Sequence, residues 1–100
     1  MQLKKTKTGD KFLVQITGRI DTTTAVDFGT QVNDNLDDVK DLVLDFTGVD
    51  YVSSIGLRVI LELQKRMNEQ GSMVLVNVQE PVMDIFEMTG FAKILKIENA

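Results

Sequence analysis

Apolar residues recur along this chain with two different spacings, and the segments that show each spacing alternate. Apolar residues at every second position, as at Phe12 and Val14, are typical of a strand with one buried face. Apolar residues three and four positions apart, as at Ile60, Leu63 and Met67, are typical of an amphipathic helix. The resulting order is strand, strand, helix, strand, helix, strand, helix, strand.

This order predicts the α/β class, because helices that alternate with strands connect parallel neighbours within one sheet. We expect a mixed, mostly parallel sheet of about five strands with an amino-terminal hairpin and three to four helices. The predicted segments are a hairpin that turns at 8–10, a helix with Ala25, Phe28, Val32 and Leu36 on its buried face, a strand at 42–46, a helix at 55–69, a strand at 73–76, a helix at 81–88, and a last strand with Ile94, Leu95 and Ile97. The strand at 42–46 is almost continuously apolar, which predicts burial on both of its faces.

The composition restricts the chemistry that the chain can carry. The length of 100 residues predicts a single domain over 1–100, and 43% apolar with 26% charged residues is ordinary for a globular protein. Without cysteine or histidine, the chain lacks the commonest thiolate, metal-ligand and general-base side chains. A net charge of -4 argues against nucleic-acid binding, which depends on lysine and arginine contacts to phosphate.

No stretch of the sequence predicts a membrane or cofactor role. The apolar runs are far shorter than the roughly 20 residues of a membrane-spanning helix, so we expect no direct membrane insertion. The amino terminus lacks the apolar stretch of a signal peptide, which predicts a cytoplasmic protein. The phosphate-binding patterns GxxxxGKS and GxGxxG are both absent, so no cofactor is predicted.

Three aspartates lie near the ends of predicted strands and could share one edge of the sheet. Asp21, Asp45 and Asp50 carry oxygen atoms of the kind that Mg²⁺ takes as ligands. Turn and helix-capping roles explain the same residues more simply, so no metal site is predicted.

A polar pair, Ser53 and Ser54, lies where the strand at 42–46 gives way to the next helix. Ser54 is predicted to be the N-cap, whose side chain accepts a hydrogen bond from a first-turn N–H group and contributes about 1 kcal/mol. An exposed hydroxyl at a helix start also suits a kinase, because the helix dipole tolerates a phosphate there. Partners commonly dock beyond the carboxyl ends of strands in α/β folds, so Ser54 has two open interpretations, a cap and a switch.

The stretch DFTGVDYVSSIGLRVIL, residues 45–61, resembles the signature of the STAS domain, in particular that of the small bacterial anti-sigma-factor antagonists. The matching residues are Asp45, Tyr51, Val52, Ser54, Gly56 and Leu57. Two further segments resemble the family, TGRID at 17–21 with the Thr24-Ala25 that follows it, and IFEMTGF at 85–91. Because the three segments occur in the family's order along most of the chain, the resemblance implies one STAS domain over 1–100.

The resemblance implies a partner-switching role in transcription regulation, without catalysis. Such antagonists bind a serine-kinase anti-sigma factor, which itself binds ATP, and so release a sigma factor. Phosphorylation of one serine ends the binding, and a phosphatase, of the PP2C type, resets the cycle. By the match, Ser54 is the phosphoacceptor of this chain, which we expect to be a monomer. The implied partner-binding residues are Asp21, Thr22, Ser53, Ser54, Ile55, Gly56, Arg58 and Glu62.

Two neighbours of Ser54 depart from the pattern of the phosphorylated relatives. Many of those relatives have Asp immediately before the acceptor and Ser or Thr immediately after it, where this chain has Ser53 and Ile55. Ser53 is therefore an alternative acceptor.

Two other functions stay open. One is an accessory subunit of a membrane transporter, which would use the same surface without phosphorylation. The other is a sensor of a small anion or nucleotide, bound by the backbone N–H groups at the helix start of Ser54. An enzyme is not expected, because no base and nucleophile are placed together.

Overall fold

The structure is a computed structural model, and it describes residues 1–98. Within these residues the chain forms five strands, three α-helices and one short 3₁₀ helix. The elements are β1 (Gln2–Thr8), β2 (Lys11–Thr17), α1 (Ala25–Asn33), β3 (Asp41–Gly48), α2 (Ser54–Gln70), β4 (Ser72–Val76), α3 (Glu80–Thr89), the 3₁₀ helix (Phe91–Lys93) and β5 (Ile97–Glu98).

The strands form one sheet in the order β1-β2-β3-β4-β5. β1 and β2 pair as an antiparallel hairpin, and each later strand pairs in parallel with the strand before it. Parallel neighbours need long crossovers, which α1, α2 and α3 provide in turn. The predicted α/β fold, with its amino-terminal hairpin and its mixed, mostly parallel sheet, is therefore confirmed.

The hydrophobic core lies on one face of this sheet. In β3, Leu42 and Phe46 are buried, whereas Val43 is only half-buried on the opposite face. The ring of Phe46 meets that of Phe86 in α3, with centroids 6.3 Å apart. The predicted burial of this strand on both faces is wrong, because the three helices of the described residues all pack on the same side of the sheet.

The first helix is shorter than its apolar pattern suggested. α1 ends at Asn33, so Leu36 lies in the turn that follows it. The side chain of Leu36 is nevertheless fully buried, which explains why it continues the helical spacing. Its backbone N–H donates to the carbonyl oxygen of Asn33 at 3.2 Å, a bond of the tight turn rather than of the helix.

The last strand is also shorter than predicted. Gly90, with φ +82°, ends α3, and the chain then continues as the 3₁₀ helix. Ile94 follows that helix, lies outside the sheet and is 54% exposed. β5 therefore contains only Ile97–Glu98, which pair with Leu75 and Val76 of β4.

The helices α1 and α2 lie in direct contact. A Cβ atom added to Gly29 of α1 would lie 2.8 Å from Cγ1 of Val59 in α2, closer than real Cβ contacts. Glycine at this position therefore allows the two helices to approach, and a groove lies between α1 and the amino-terminal half of α2.

Candidate functional site

The loops that follow β2 and β3 are joined by backbone hydrogen bonds. Ile20 and Val52 form a parallel bridge beyond the ends of the two strands. The N–H of Ile20 donates to the carbonyl oxygen of Tyr51 at 3.0 Å, and the N–H of Ser53 donates to that of Ile20 at 2.8 Å. Because of this ladder, the start of α2 lies beside the loop that carries Asp21.

The two adjacent serines have different roles at the start of α2. Ser53 is the N-cap, with extended backbone, and its hydroxyl oxygen accepts a hydrogen bond from the N–H of Gly56 at 3.1 Å. Ser54 is the first helical residue, is exposed, and makes no side-chain hydrogen bond to any residue of the range 1–98. The prediction that Ser54 caps the helix is therefore wrong, because the helix begins one residue earlier than expected and Ser53, only 7% exposed, takes the cap.

Gly56 allows the first turn of α2 to pack onto the two loops. An added Cβ atom would lie 2.9 Å from side-chain carbons of both Ile20 and Val52, and 3.0 Å from the carbonyl oxygen of Ile20. Since real Cβ atoms essentially never come within 3.0 Å of such carbons, and the Ile20 carbonyl is just as near, a larger residue would push Ser54 and its turn outward.

Asp21 organises the turn before α1. Its Oδ1 atom accepts hydrogen bonds from the N–H groups of Thr23 and Thr24, both at 3.0 Å, and from the Thr23 hydroxyl at 2.8 Å. The Thr24 hydroxyl donates to the carbonyl oxygen of Arg19 at 2.8 Å and lies 3.1 Å from Asp21 Oδ1. The bond from the Thr23 hydroxyl, followed by that from the Thr24 N–H, lowers the pKa of Asp21 from an ordinary 3.8 to about 2. Thr22 is exposed at the tip of this turn.

We expect the Asp21 carboxyl to titrate near pH 2 in the folded chain, as measured by NMR of its carboxyl carbon. Because the folded pKa lies below the ordinary value of 3.8, the ionised carboxylate stabilises the turn above that pH, and this contribution is lost as the pH falls toward 2. Thr23→Val removes the largest cause and should raise the midpoint. Thr22→Val is the matched control and should leave it unchanged. An unaltered midpoint in Thr23→Val would contradict the assigned cause.

A groove of about 420 Å³ runs between α1 and α2 beside Ser54. Its apolar lining includes Val26, which is 63% exposed, and Ile55, which is 36% exposed. Arg58 and Glu62 also line the groove, are exposed, and form no ion pair within the described part of the chain. The groove therefore combines an apolar base with charged side chains that are available to a partner.

An aromatic contact extends this surface toward β2. The guanidinium of Arg19 lies 4.2 Å from the ring centroid of Tyr51, close enough for a cation–π interaction. Neither Arg19 nor Val26 was among the predicted site residues. The distance between Arg19 and Tyr51 along the chain left no local pattern that could reveal their contact, and an exposed apolar residue such as Val26 resembles any other helix position.

The three aspartates that could have formed a metal site serve other purposes. Asp45 accepts hydrogen bonds from the N–H and the hydroxyl of Thr47, at 2.9 and 2.6 Å, on the sheet face opposite the helices. Asp21 caps a turn on the helical side, and Asp50 is exposed. Within residues 1–98 no three acidic side chains come together in a group that could hold a metal ion.

The structure brings most of the predicted partner-binding residues to one end of the molecule. The turn that carries Asp21 and Thr22 joins the cap residue Ser53 through the loop ladder, and Ser54 follows that cap. Ile55, Gly56, Arg58 and Glu62 continue along the first two turns of α2, with Gly56 buried and the other three along the groove.

Comparison with protein families identifies this arrangement. The model of the STAS domain matches residues 2–100. The chain belongs to the STAS domain family.

Relatives of known name are consistent with this STAS assignment. A segment of 60 residues, 59% of this chain, is 40% identical to BtrV of Bordetella bronchiseptica, whose name describes it as an anti-sigma factor antagonist. The matched segment covers 52% of BtrV, so this STAS chain aligns with about half of that relative's length.

Solved structures share the fold of this STAS domain. The anti-sigma factor antagonist SpoIIAA in its unphosphorylated form superimposes with a TM-score of 0.86 at 14% identity, over 99% of this chain and 88% of SpoIIAA. The phosphorylated form of the Bacillus SpoIIAA gives 0.78 at 14% identity, over 99% and 91% of the two chains. The murine anion transporter Slc26a9 gives 0.75 at 18% identity over 88% of this chain and 15% of the transporter. In residues 1–98 of the present STAS chain, no helix has the length and apolar character needed to span a bilayer.

The division of roles between the serines has a measurable effect on stability. We expect Ser53→Ala to lower the free energy of unfolding by about 1 kcal/mol, because the N–H of Gly56 loses its cap. Ser54→Ala should change it by a few tenths of a kcal/mol at most, because an exposed hydroxyl without partners is removed. Urea unfolding of both variants measures the difference. A larger loss in Ser54→Ala than in Ser53→Ala would contradict the assignment of the cap.

Proposed function

We propose that this chain is an anti-sigma-factor antagonist that binds a serine-kinase anti-sigma factor and is released when that kinase phosphorylates Ser54. The partner-binding surface in this proposal consists of Asp21, Thr22, Ser53, Ser54, Ile55, Gly56, Arg58 and Glu62. The chain acts as a regulatory binding protein rather than as an enzyme, and its single domain works in the cytoplasm. A PP2C-type phosphatase removes the phosphate.

The observation that carries this proposal is the free, exposed hydroxyl of Ser54 in the first turn of α2. The neighbouring Ser53 hydroxyl is buried and holds the cap, so modifying it would remove a bond on which the helix start depends. A kinase can reach Ser54 without disturbing the fold. For this reason we assign the phosphoacceptor to Ser54 rather than to its alternative, Ser53.

The position of Ser54 also explains how a phosphate would end binding without unfolding the domain. A phosphate adds about -1.5 to -2 charges, and a helix amino terminus stabilises such a charge by about 0.3–1 kcal/mol. In a complex, the same charge would lie beside the apolar side chains of Val26 and Ile55. Removing an unpaired charge from water costs several kcal/mol, so the free domain tolerates the modification and the complex does not.

The names of the relatives support the same function. BtrV carries the name of an anti-sigma factor antagonist, and the anti-sigma factor antagonist SpoIIAA has been solved in unphosphorylated and phosphorylated forms. Both SpoIIAA forms have the fold of this chain. A phosphorylated STAS domain is therefore compatible with this architecture.

The proposal is tested by capturing partners from a lysate of the host organism. Wild type, Ser54→Ala and Ser54→Asp serve as baits, and bound proteins are identified by mass spectrometry. We expect an ATP-binding serine kinase with wild type and Ser54→Ala, and its loss with Ser54→Asp. Recovery of a transporter subunit, or of the same partner equally by all three baits, would overturn the proposal in favour of an accessory role in which Ser54 is not a switch.

A further inference from the structure

The sheet has a second face that no helix of the described residues covers. Lysines 5 and 7 of β1 point to the helical side, where Lys5 donates to Gln31 at 3.1 Å and Lys7 pairs with Asp38 at 2.8 Å. Successive residues of a strand point to opposite faces, so Lys4 lies on the other side. We call that other side the open face.

An apolar row crosses the middle of the open face. Leu13 pairs with Val43, and Val43 pairs with Val74, so the three side chains lie next to one another on adjacent strands. All three are half-buried even though no helix lies over them. Parallel strands such as β2, β3 and β4 are normally covered on both faces, whereas here the helices of the described residues cover only one.

The charges of the open face are divided into two halves. The β1 and β2 side carries two lysines, Lys4 and Lys11. The β3 to β5 side carries three acids, Asp41, Asp45 and Glu98, and one lysine, Lys96, which pairs with Glu98 at 3.5 Å, so this half stays negative overall. Each half therefore has the sign of charge that the other half would attract.

We propose that the open face binds a second copy of this chain, which would make it a dimer rather than the monomer expected from the family resemblance. A two-fold axis that runs along the strands, between β2 and β3, places the lysine half of each copy over the acidic half of the other. The same axis brings the two apolar rows together. A closed, isologous dimer results, because each copy uses the same patch.

The dimer leaves the surface around Ser54 available. That surface lies on the helical side, where Ser54 begins α2 and the groove separates α1 from α2. The two interfaces are therefore independent, and the dimer does not depend on the proposed antagonist function. It would present two copies of the Ser54 surface on opposite sides of one particle.

The size of the open face indicates a weak dimer. The strands β1 to β4 lie about 4.8 Å apart and are five to eight residues long, so that at about 3.3 Å per residue they span roughly 19 by 22 Å. Each copy would bury on the order of 400–500 Å², below the roughly 800 Å² per partner of a standard stable interface. Association should therefore be in rapid exchange and visible only at high protein concentration.

Analytical ultracentrifugation between about 10 and 500 µM tests the dimer in the range expected for a small interface. Two double variants bring both halves of the face toward one sign of charge: Lys4→Glu with Lys11→Glu makes it more negative, and Asp41→Lys with Glu98→Lys, which leaves Asp45 in place, makes it more positive. Each variant alone should dimerise at least roughly tenfold more weakly than wild type, because like charges then face each other. A one-to-one mixture of the two variants should associate at least as strongly as wild type.

The controls separate this face from general charge effects. Glu69→Lys with Glu87→Lys makes the same change of net charge as Asp41→Lys with Glu98→Lys, but on exposed helix positions, and should leave association at the wild-type level. Circular dichroism confirms that each variant is folded. The proposal is overturned if wild type stays monomeric at about 500 µM. It is also overturned if both charge variants dimerise as strongly as wild type, or if a mixture of the two variants associates no more strongly than either variant alone.

Discussion

Ser54→Asp should fold normally and yet bind its kinase partner roughly a hundred- to a thousandfold more weakly than wild type. The expected loss follows from a carboxylate that becomes unpaired and desolvated beside the apolar groove of Val26 and Ile55. A cost of about 3–4 kcal/mol for such a charge corresponds to this range of affinity. Isothermal titration with the purified partner measures the change.

Two variants distinguish charge from shape in this prediction. Ser54→Asn has nearly the same size as the aspartate variant but no charge, and should retain binding within about tenfold because interface charge dominates the effect. Ser54→Ala should bind as wild type and resist phosphorylation. If asparagine weakens binding as strongly as aspartate does, then steric fit rather than charge determines recognition, and the switch mechanism is wrong.

The thermal stability of Ser54→Asp completes the comparison. A negative charge in the first turn of α2 lies at the positive end of the helix dipole. It should raise the free energy of unfolding by about 0.3–1 kcal/mol, or at least leave it unchanged. Loss of binding would then occur in a domain that is at least as stable as wild type. A variant that unfolds would not support any conclusion about the switch, so unfolding is measured first.

Gly71→Ala should be the most destabilising single methyl addition at the glycines of this chain. An added Cβ atom would lie 1.9 Å from the carbonyl oxygen of Lys40 and 2.7 Å from its carbonyl carbon. The same carbonyl accepts the N–H of Ser72 at 2.8 Å where β4 begins beside β3. Because backbone rather than a flexible side chain stands in the way, the turn between α2 and β4 has to move.

We expect Gly71→Ala to lower the free energy of unfolding by about 3–5 kcal/mol, at or above the upper range of overpacking effects. A loss of this size would lower the melting temperature of a domain of this length by roughly 12–40 °C. Gly90→Ala is the control, because Gly90 has φ +82° but open space around its Cβ position. It should cost about 1–2 kcal/mol from backbone conformation alone. Equal losses in both variants would contradict the contact with Lys40.

The fold could be predicted because its helices and its strands each have a characteristic spacing of apolar residues along the sequence. The alternation of two apolar spacings gives the element order, and the order of hairpin, helices and strands restricts the sheet to a mixed one. Burial on the open face could not be predicted in this way. Val43 is as apolar as Leu42, and only the placement of every helix on the other side leaves it half-buried.

The sequence signature placed most of the predicted site residues at one strand-to-helix junction, but it did not assign their local roles. The residues at 53–58 lie in one short stretch, so a single signature contains them. Which serine caps α2 depends on one backbone conformation: Ser53 is extended, at φ -78° and ψ 171°, and the helix begins after it. Two adjacent serines have the same capping propensity, so the sequence alone cannot decide between them.

Contacts between segments that are far apart in the chain were the hardest to predict from the sequence. The groove joins Val26 of α1 to Ile55 of α2, and the cation–π pair joins Arg19 to Tyr51. Both depend on the sheet order that places the ends of β2 and β3 side by side. Such contacts follow from the three-dimensional fold and cannot be identified from the sequence alone.

Phosphate mapping on the isolated complex tests the central claim most directly. The chain and its kinase partner are purified together, incubated with Mg²⁺ and ATP, and examined by mass spectrometry while light scattering follows the complex. We expect one phosphate, on Ser54, and dissociation of the complex in step with its appearance. Phosphate on Ser53, or a complex that persists with Ser54 fully phosphorylated, would contradict the proposal that this exposed hydroxyl is the switch.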